Sequence, residues 1–397
     1  MYRISMIFGA VALLATTSAM AATLKVGAGR AYTSLAAAAG AAASGDVIEI
    51  DAGIYDRGAT WTDDDLVIRT APGAAPGSVV VRNGTVGGKG LFVTKGNNIT
   101  VDGIAFEGAF VPSRNGAGIR AEGIGLTVLN SQFSRSQHGI LATGPEVADN
   151  VLTIRNSSFD DFRRAPGDSS LTHALYVGKS IGELVVEGST FSRVEAGHYI
   201  KSRAVQTTVR GSTIDDRGGR GSYLIETPEG GQLIVDDNVL IKGANAGNPI
   251  AVAHGFERNK GGDFVNPDGF VFVGDNRFTN YKSGNVTFVD NRSDTTAELH
   301  ENTMTVTTGN LTLVEGDHVV TRDEDQNEAI ETGAVGGLPP VDRISLPAAY
   351  GEDVARARLD DIPVAAVPAP PALGLLAAGI FGIVAMRRRR REERRPA

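Results

Sequence analysis

Cysteine is absent from this chain. That excludes disulfide staples, thiolate metal sites and cysteine nucleophiles, so stability has to come from packing alone. Aromatic residues are scarce, at 6 %, while glycine reaches 50 of 397 residues. Such a composition suits a disordered chain, but regularly spaced Val/Ile/Leu triplets point to order. No apolar run reaches the roughly 20 residues of a comfortable membrane span. No phosphate-binding loop, dinucleotide fingerprint or catalytic serine motif stands out.

The formal charge of −8 hides an uneven distribution. Eight basic residues lie at the ends (Arg3, Arg387 to Arg391, Arg394 and Arg395), beside Glu392 and Glu393. Removing them from totals of 38 and 46 leaves 30 basic and 44 acidic residues over 22–386, a net −14. Nucleic-acid binding needs a basic footprint and is excluded as a partner class.

Both ends read as addresses. Arg3, the apolar stretch Ile7 to Ala15 and the small-x-small site Ala19-Met20-Ala21 form a secretory signal peptide, residues 1–21. At the other end Val367-Pro368-Ala369-Pro370-Pro371 precedes an apolar segment, Ala372 to Met386, and the arginine cluster. The segment is short, and its arginines would snorkel and stay cytoplasmic. This layout, over residues 367–397, resembles the PEP-CTERM tails of exosortase substrates, with Ala369 where many members carry Glu. The resemblance implies an exosortase-type processing enzyme as partner, a transient C-terminal transmembrane helix in the inner membrane, and display at the cell surface. The Asp/Glu/Pro/Ala-rich stretch 321–366 reads as a linker.

The middle repeats. Ile99-Thr100-Val101, Leu126-Thr127-Val128, Leu152-Thr153-Ile154, Leu184-Val185-Val186, Thr207-Thr208-Val209, Leu233-Ile234-Val235, Val271-Phe272-Val273 and Ala297-Glu298-Leu299 are each followed by a second apolar marker. Those markers are Phe106, Phe133, Phe159, Phe191, Ile214, Leu240, Phe278 and Met304, spaced 27, 26, 32, 23, 26, 38 and 26 residues apart. The turns between them carry Asn, Gly and Ser, as in Asn130-Ser131 and Gly188-Ser189, residues that tolerate turn geometry. Stacked Asn side chains would form a hydrogen-bonded ladder. A unit of about 26 residues that cannot bury its own apolar edge must stack on copies of itself. A β-sandwich would instead show hairpin turns every 8–12 residues. The expected fold is therefore all-β, a parallel β-helix over residues 22–320.

Tyr32 to Ala43 is Ala-rich and helical in character, ahead of a strand at Val47-Ile48-Glu49-Ile50. This entry resembles the N-terminal cap of pectate-lyase-like right-handed β-helix proteins. The resemblance runs over about residues 24–310 and implies a helix covering the open end of the solenoid.

In such a fold a site is a column, one residue per coil, about 4.8 Å apart. One block is polar for a buried strand: His173 to Ser180, then Gly197 to Arg203, then Ser222 to Thr227, then Ile250 to Glu257. Strict alternation would turn Tyr176, Tyr199, Lys201, Arg203, Glu226 and His254 outward along one groove, with His173 and His198 at its margin. Tyr rings suit sugar faces, and Lys or Arg suit carboxylates. An extracellular polysaccharide is the expected partner, contacted by His173, Tyr176, Tyr199, Glu226, His254 and Glu257. For β-elimination of a uronate, Lys201 would be the base, Arg203 would neutralise the carboxylate, and His198, Tyr199 or Tyr223 would be the acid. The Lys201-Ser202 pair resembles the Lys-Ser motif of β-helix alginate and chondroitin lyases. Those families carry an Arg-His-Gly-like motif one coil on, where this chain has Ile225-Glu226-Thr227-Pro228. A hydrolase is the other enzymatic reading, since Asp160-Asp161 and Gly197-His198 resemble polygalacturonase elements whose Asn-Thr-Asp partner is missing. A non-catalytic sugar-binding or scaffold protein is the alternative in which the polar residues pair among themselves. The sequence identifies no certain cofactor. Calcium is the candidate cation, at Asp215, Asp216, Asp236 and Asp237, although no twelve-residue calcium loop is present.

Overall fold

The computed structural model describes residues 21–258, 265–267, 269–321 and 330–332. The expected signal peptide up to Met20, most of the expected linker and the whole expected sorting tail, with its transmembrane segment 372–386, lie outside the described residues. Among the described residues no helix is long and apolar enough to cross a membrane.

Among the described residues three parallel sheets run from residue 23 to residue 332, with 12, 10 and 11 strands. Each strand pairs with its counterpart one coil earlier and one coil later, so the chain winds as a solenoid. The eight Val/Ile/Leu triplets all fall in the 12-stranded sheet, in register from Ile99↔Leu126 to Val271↔Ala297. The second markers align in the 11-stranded sheet. The 10-stranded sheet, from Ala59–Trp61 to Asn310–Glu315, holds the polar block. A last strand, Ile330–Thr332, pairs in the 11-stranded sheet, inside the stretch expected to be linker.

The interior explains why these residues form these strands. Phe106, Phe133, Phe159 and Phe191 stack with ring centroids 5.0, 4.7 and 4.7 Å apart, which is the strand spacing itself. Beside them runs a polar ladder. Ser131 N–H donates to Ser157 Oγ, Ser157 N–H to Ser189 Oγ, and Ser189 N–H to Ser212 Oγ. Ser212 N–H then donates to Asn238 Oδ1, Asn238 N–H to Asn276 Oδ1, and Asn276 N–H to Asn302 Oδ1. The expected asparagine ladder thus occupies the last three rungs, and serines supply the others. At each of these turns the preceding residue has positive φ: Asn130 at 48°, Asn156 at 49°, Gly188 at 55°, Gly211 at 56°, Asp237 at 50° and Asp275 at 54°. Only Gly and short polar residues take that conformation cheaply, and these six corners read Asn, Gly or Asp; the corner before Asn302 carries Glu301, at 45°.

The N-terminal helix spans Leu35–Ala41, shorter than the Ala-rich stretch implied. Ser34 caps it by accepting from Ala37 N–H at 3.2 Å, and Leu35, Ala38 and Ala39 are buried against the first strands. One apolar face of a short helix therefore closes the open end of the core.

Candidate functional site: the outer face of the 10-stranded sheet

Four strands of this sheet carry the polar block: His173–Val177, Ile200–Ser202, Ile225–Thr227 and Ile250–His254. Register places Tyr176 beside Lys201, Lys201 beside Glu226, Glu226 beside Ala253, and Ala253 beside Asp290. These side chains form the outward column, while Leu175, Ile200, Ile225 and Val252 point into the core. Tyr176, Lys201 and Glu226 lie where strict alternation puts them.

Two expected site residues do not. Tyr199 is fully buried in the core, and its hydroxyl donates to Asp216 Oδ1 at 2.7 Å. The strict alternation fails at the strand entry, where Tyr199 and Ile200 both face inward. His254 is also fully buried, aligned with Thr227 and bonded to its hydroxyl at 2.7 Å. In the true register Ala253, not His254, continues the outward column. Burial pushes the His254 imidazole down to about 4, so it is a neutral interior side chain. Neither residue can touch a ligand on the outer face.

The structure adds residues that the sequence reading missed. His138 precedes His173 and His198 in a column of rings, with centroids 5.5 and 5.0 Å apart and Tyr223 following at 4.9 Å. His173 N–H donates to His138 Nδ1 and His198 N–H to His173 Nδ1, both at 3.1 Å. Nδ1 is the acceptor in both rings, so both neutral rings carry their proton on Nε2. Burial depresses both imidazoles, His138 to about 4. His198 breaks the series: its Nδ1 lies 2.7 Å from Glu226 Oε2, close but out of line for a hydrogen bond.

Charge is paired almost completely here. Lys201 Nζ lies 2.8 Å from Glu226 Oε2 and 3.4 Å from Glu257 Oε1. Arg203 binds Glu229 through Nη1, Glu257 through Nη2 at 2.7 Å, and the Tyr176 hydroxyl through Nε at 3.3 Å. Burial raises the Glu226 carboxyl, but His198 and Lys201 outweigh it and leave it below its ordinary value. Glu257 shows the same balance, with Arg203 and Lys201 winning over burial. Burial also works against the Arg203 charge, and the bonds to Glu257 and Tyr176 push the guanidinium up. Burial raises the Tyr223 hydroxyl, with Glu226 adding to it. Further along, Arg292 pairs with Asp290 at 3.0 Å and lies over the Phe256 ring, 4.1 Å from its centroid. Glu229, Asp290, Arg292 and Phe256 had no signal in the strand pattern, because three of them sit on the loops that leave this sheet.

The calcium candidates separate. Asp215 pairs with Arg217, and Asp216 is buried against Tyr199. Among the described residues the one cluster able to offer three ligand atoms within 4.8 Å of one another is Asp275, His300 and Glu301. It lies at the turn corners, away from this face, where acidic side chains are commonly solvated.

Residues 89–304 match the family model described as "Right handed beta helix region". The chain belongs to that family. As a right-handed β-helix it is similar to several solved structures. One is an alginate lyase from Paenibacillus sp. str. FPU-7, with 17 % identity, a TM-score of 0.39, and coverage of 75 % of this chain and 99 % of that one. Another is the mannuronan C-5 epimerase AlgE6 A-module of Azotobacter vinelandii, with 14 % identity, a TM-score of 0.40, and coverage of 73 % and 93 %. A third is the pectin methylesterase PemA of Erwinia chrysanthemi, with 12 % identity, a TM-score of 0.28, and coverage of 67 % and 81 %. No curated protein matches the chain. Likenesses this distant carry no chemistry across to this β-helix.

Proposed function

We propose that this chain is an exported β-helix protein, released to the cell surface from a PEP-CTERM-type tail, that binds an extracellular polysaccharide along the outer face of its 10-stranded sheet. The observation that carries the reading is the register of that face. Tyr176, Lys201, Glu226 and Asp290 stand in one column, flanked by the rings of His173, His198, Tyr223 and Phe256. A surface that repeats coil by coil suits a polymer that repeats along its own axis, and Tyr rings with fixed polar groups suit sugar rings.

β-Elimination is the second reading. It is favoured by the presence of the Glu226 carboxylate 2.7 Å from His198 Nδ1, the kind of neighbour that a proton-transferring histidine uses. It is disfavoured by Lys201, whose ammonium is held between Glu226 and Glu257 and is poorly placed to act as a base. Pull-down of the full chain on a panel of insoluble or immobilised polysaccharides tests the binding reading. Tyr176→Ala should weaken retention about tenfold, and retention on no polymer refutes the proposal. Absorbance of unsaturated uronate during incubation separates the two readings: a rise lost in His198→Ala would establish elimination.

A further inference from the structure

We infer that the polymer held on this face is uncharged rather than a polyuronate. The inference rests on the binding reading and names the class of sugar. Recognition of a uronate carboxylate is strongest at a cation that no other carboxylate already neutralises, since the strong geometry is a paired one. Three cations line this stretch, and each is already taken. Lys201 lies between two carboxylates, Arg203 is shared by two carboxylates and a phenol, and Arg292 is paired to Asp290. Against them stand four carboxylates: Glu226, Glu229, Glu257 and Asp290. A sugar acid arriving here would meet surplus negative charge and would have to displace a partner from a network in which Lys201, Glu226, Glu229 and Asp290 are buried. Residues 22–386 add to the repulsion with their net −14.

A neutral sugar meets neither cost. Glu257, whose carboxylate already holds two cations and stays exposed, still accepts from hydroxyls. Tyr223 and Phe256, with ring centroids 5.8 Å apart, supply apolar faces for the C–H side of a sugar ring. The closed ion-pair network then acts as a rigid hydrogen-bonding surface.

Glu257 is the group that closes the network. It contacts both Lys201 and Arg203, yet its side chain remains 46 % exposed, so it can be replaced without opening the core. Equilibrium binding of the full chain to surfaces coated with hydroxyethylcellulose, galactomannan or alginate tests the inference. The parent chain should bind a neutral polymer, and that binding should hold from low salt to about 0.5 M salt, where surface charges are screened. Glu257→Gln, checked by its melting curve to be folded, should bind alginate about fivefold more tightly than the parent, and salt should erase the gain. Tighter binding of the parent to alginate than to the neutral polymers, weakened by salt, would overturn the inference while leaving the binding reading intact. A Glu257→Gln chain with no gain on alginate would overturn the claim that Glu257 keeps anions out. Binding to none of the three polymers defeats the binding reading itself.

Discussion

Buried histidines make this solenoid acid-sensitive in a defined window. Burial holds His138 and His254 at about 4, against an ordinary value of 6.5. A group whose folded-state value is depressed favours the fold above its unfolded value, and that advantage is lost as pH falls. The window therefore runs from about 6.5 down to about 4. At pH 5 an unfolded imidazole is almost fully protonated and one at about 4 is about one-tenth protonated. The difference costs the fold about 2 kcal/mol per histidine relative to pH 7. The lowered carboxylates Glu226 and Glu257 act at lower pH, below their ordinary 4.5. Burial raises Asp216, Glu183 and Asp236, and these oppose the slope, so the total is less telling than one residue's share. His254→Asn isolates that share, because Asn keeps a partner for the Thr227 hydroxyl and does not titrate. Urea midpoints at pH 7 and pH 5 should show the parent losing about 2 kcal/mol more than His254→Asn over this interval. Equal losses in the two chains would refute the claim that His254 is buried neutral.

Two further outcomes follow from the interior. Asn238→Ala removes the acceptor of Ser212 N–H and the donor to Val209 O and Asn276 Oδ1; orphaning these buried groups should cost about 3 kcal/mol in urea unfolding, and a loss below 1 kcal/mol would mean that water or a neighbour replaces the rung. Burial depresses Lys242 to about 7 from 10.5, a penalty on the fold that is relieved as pH rises between those values, so stability should gain about 2 kcal/mol from pH 7 to pH 9. Lys242→Met should flatten that gain, and an unchanged slope would show that another group produces it.

The solenoid was legible because its signals are local and repeated. An apolar triplet, a turn that tolerates positive φ and a second apolar residue recur in each coil, and no single irregular spacing can hide them. The third sheet was less legible, since its strands Ile200–Ser202 and Ile225–Thr227 are short and polar. Outward positions such as Lys201 and Glu226 followed from alternation. Tyr199 did not, because two successive residues face inward at the strand entry, a feature with no compositional mark. His254 was misplaced by a one-residue register difference, which in a strand moves a side chain to the opposite face. His138 lay one coil before the polar block, in a strand that otherwise reads as ordinary core. The partners Glu229, Glu257 and Arg292 come together only through coil stacking, so the closure of the ion-pair network could not be read from spacing.

The central claim is that a polysaccharide lies on the outer face of the 10-stranded sheet. Hydrogen-exchange mass spectrometry of the full chain, with and without saturating neutral polymer, tests it most directly. Added protection should be confined to peptides spanning residues 198–203, 223–227 and 253–257, with the 12- and 11-stranded sheets unchanged. Protection centred on either of those other sheets, in a chain that demonstrably binds the polymer, would contradict it.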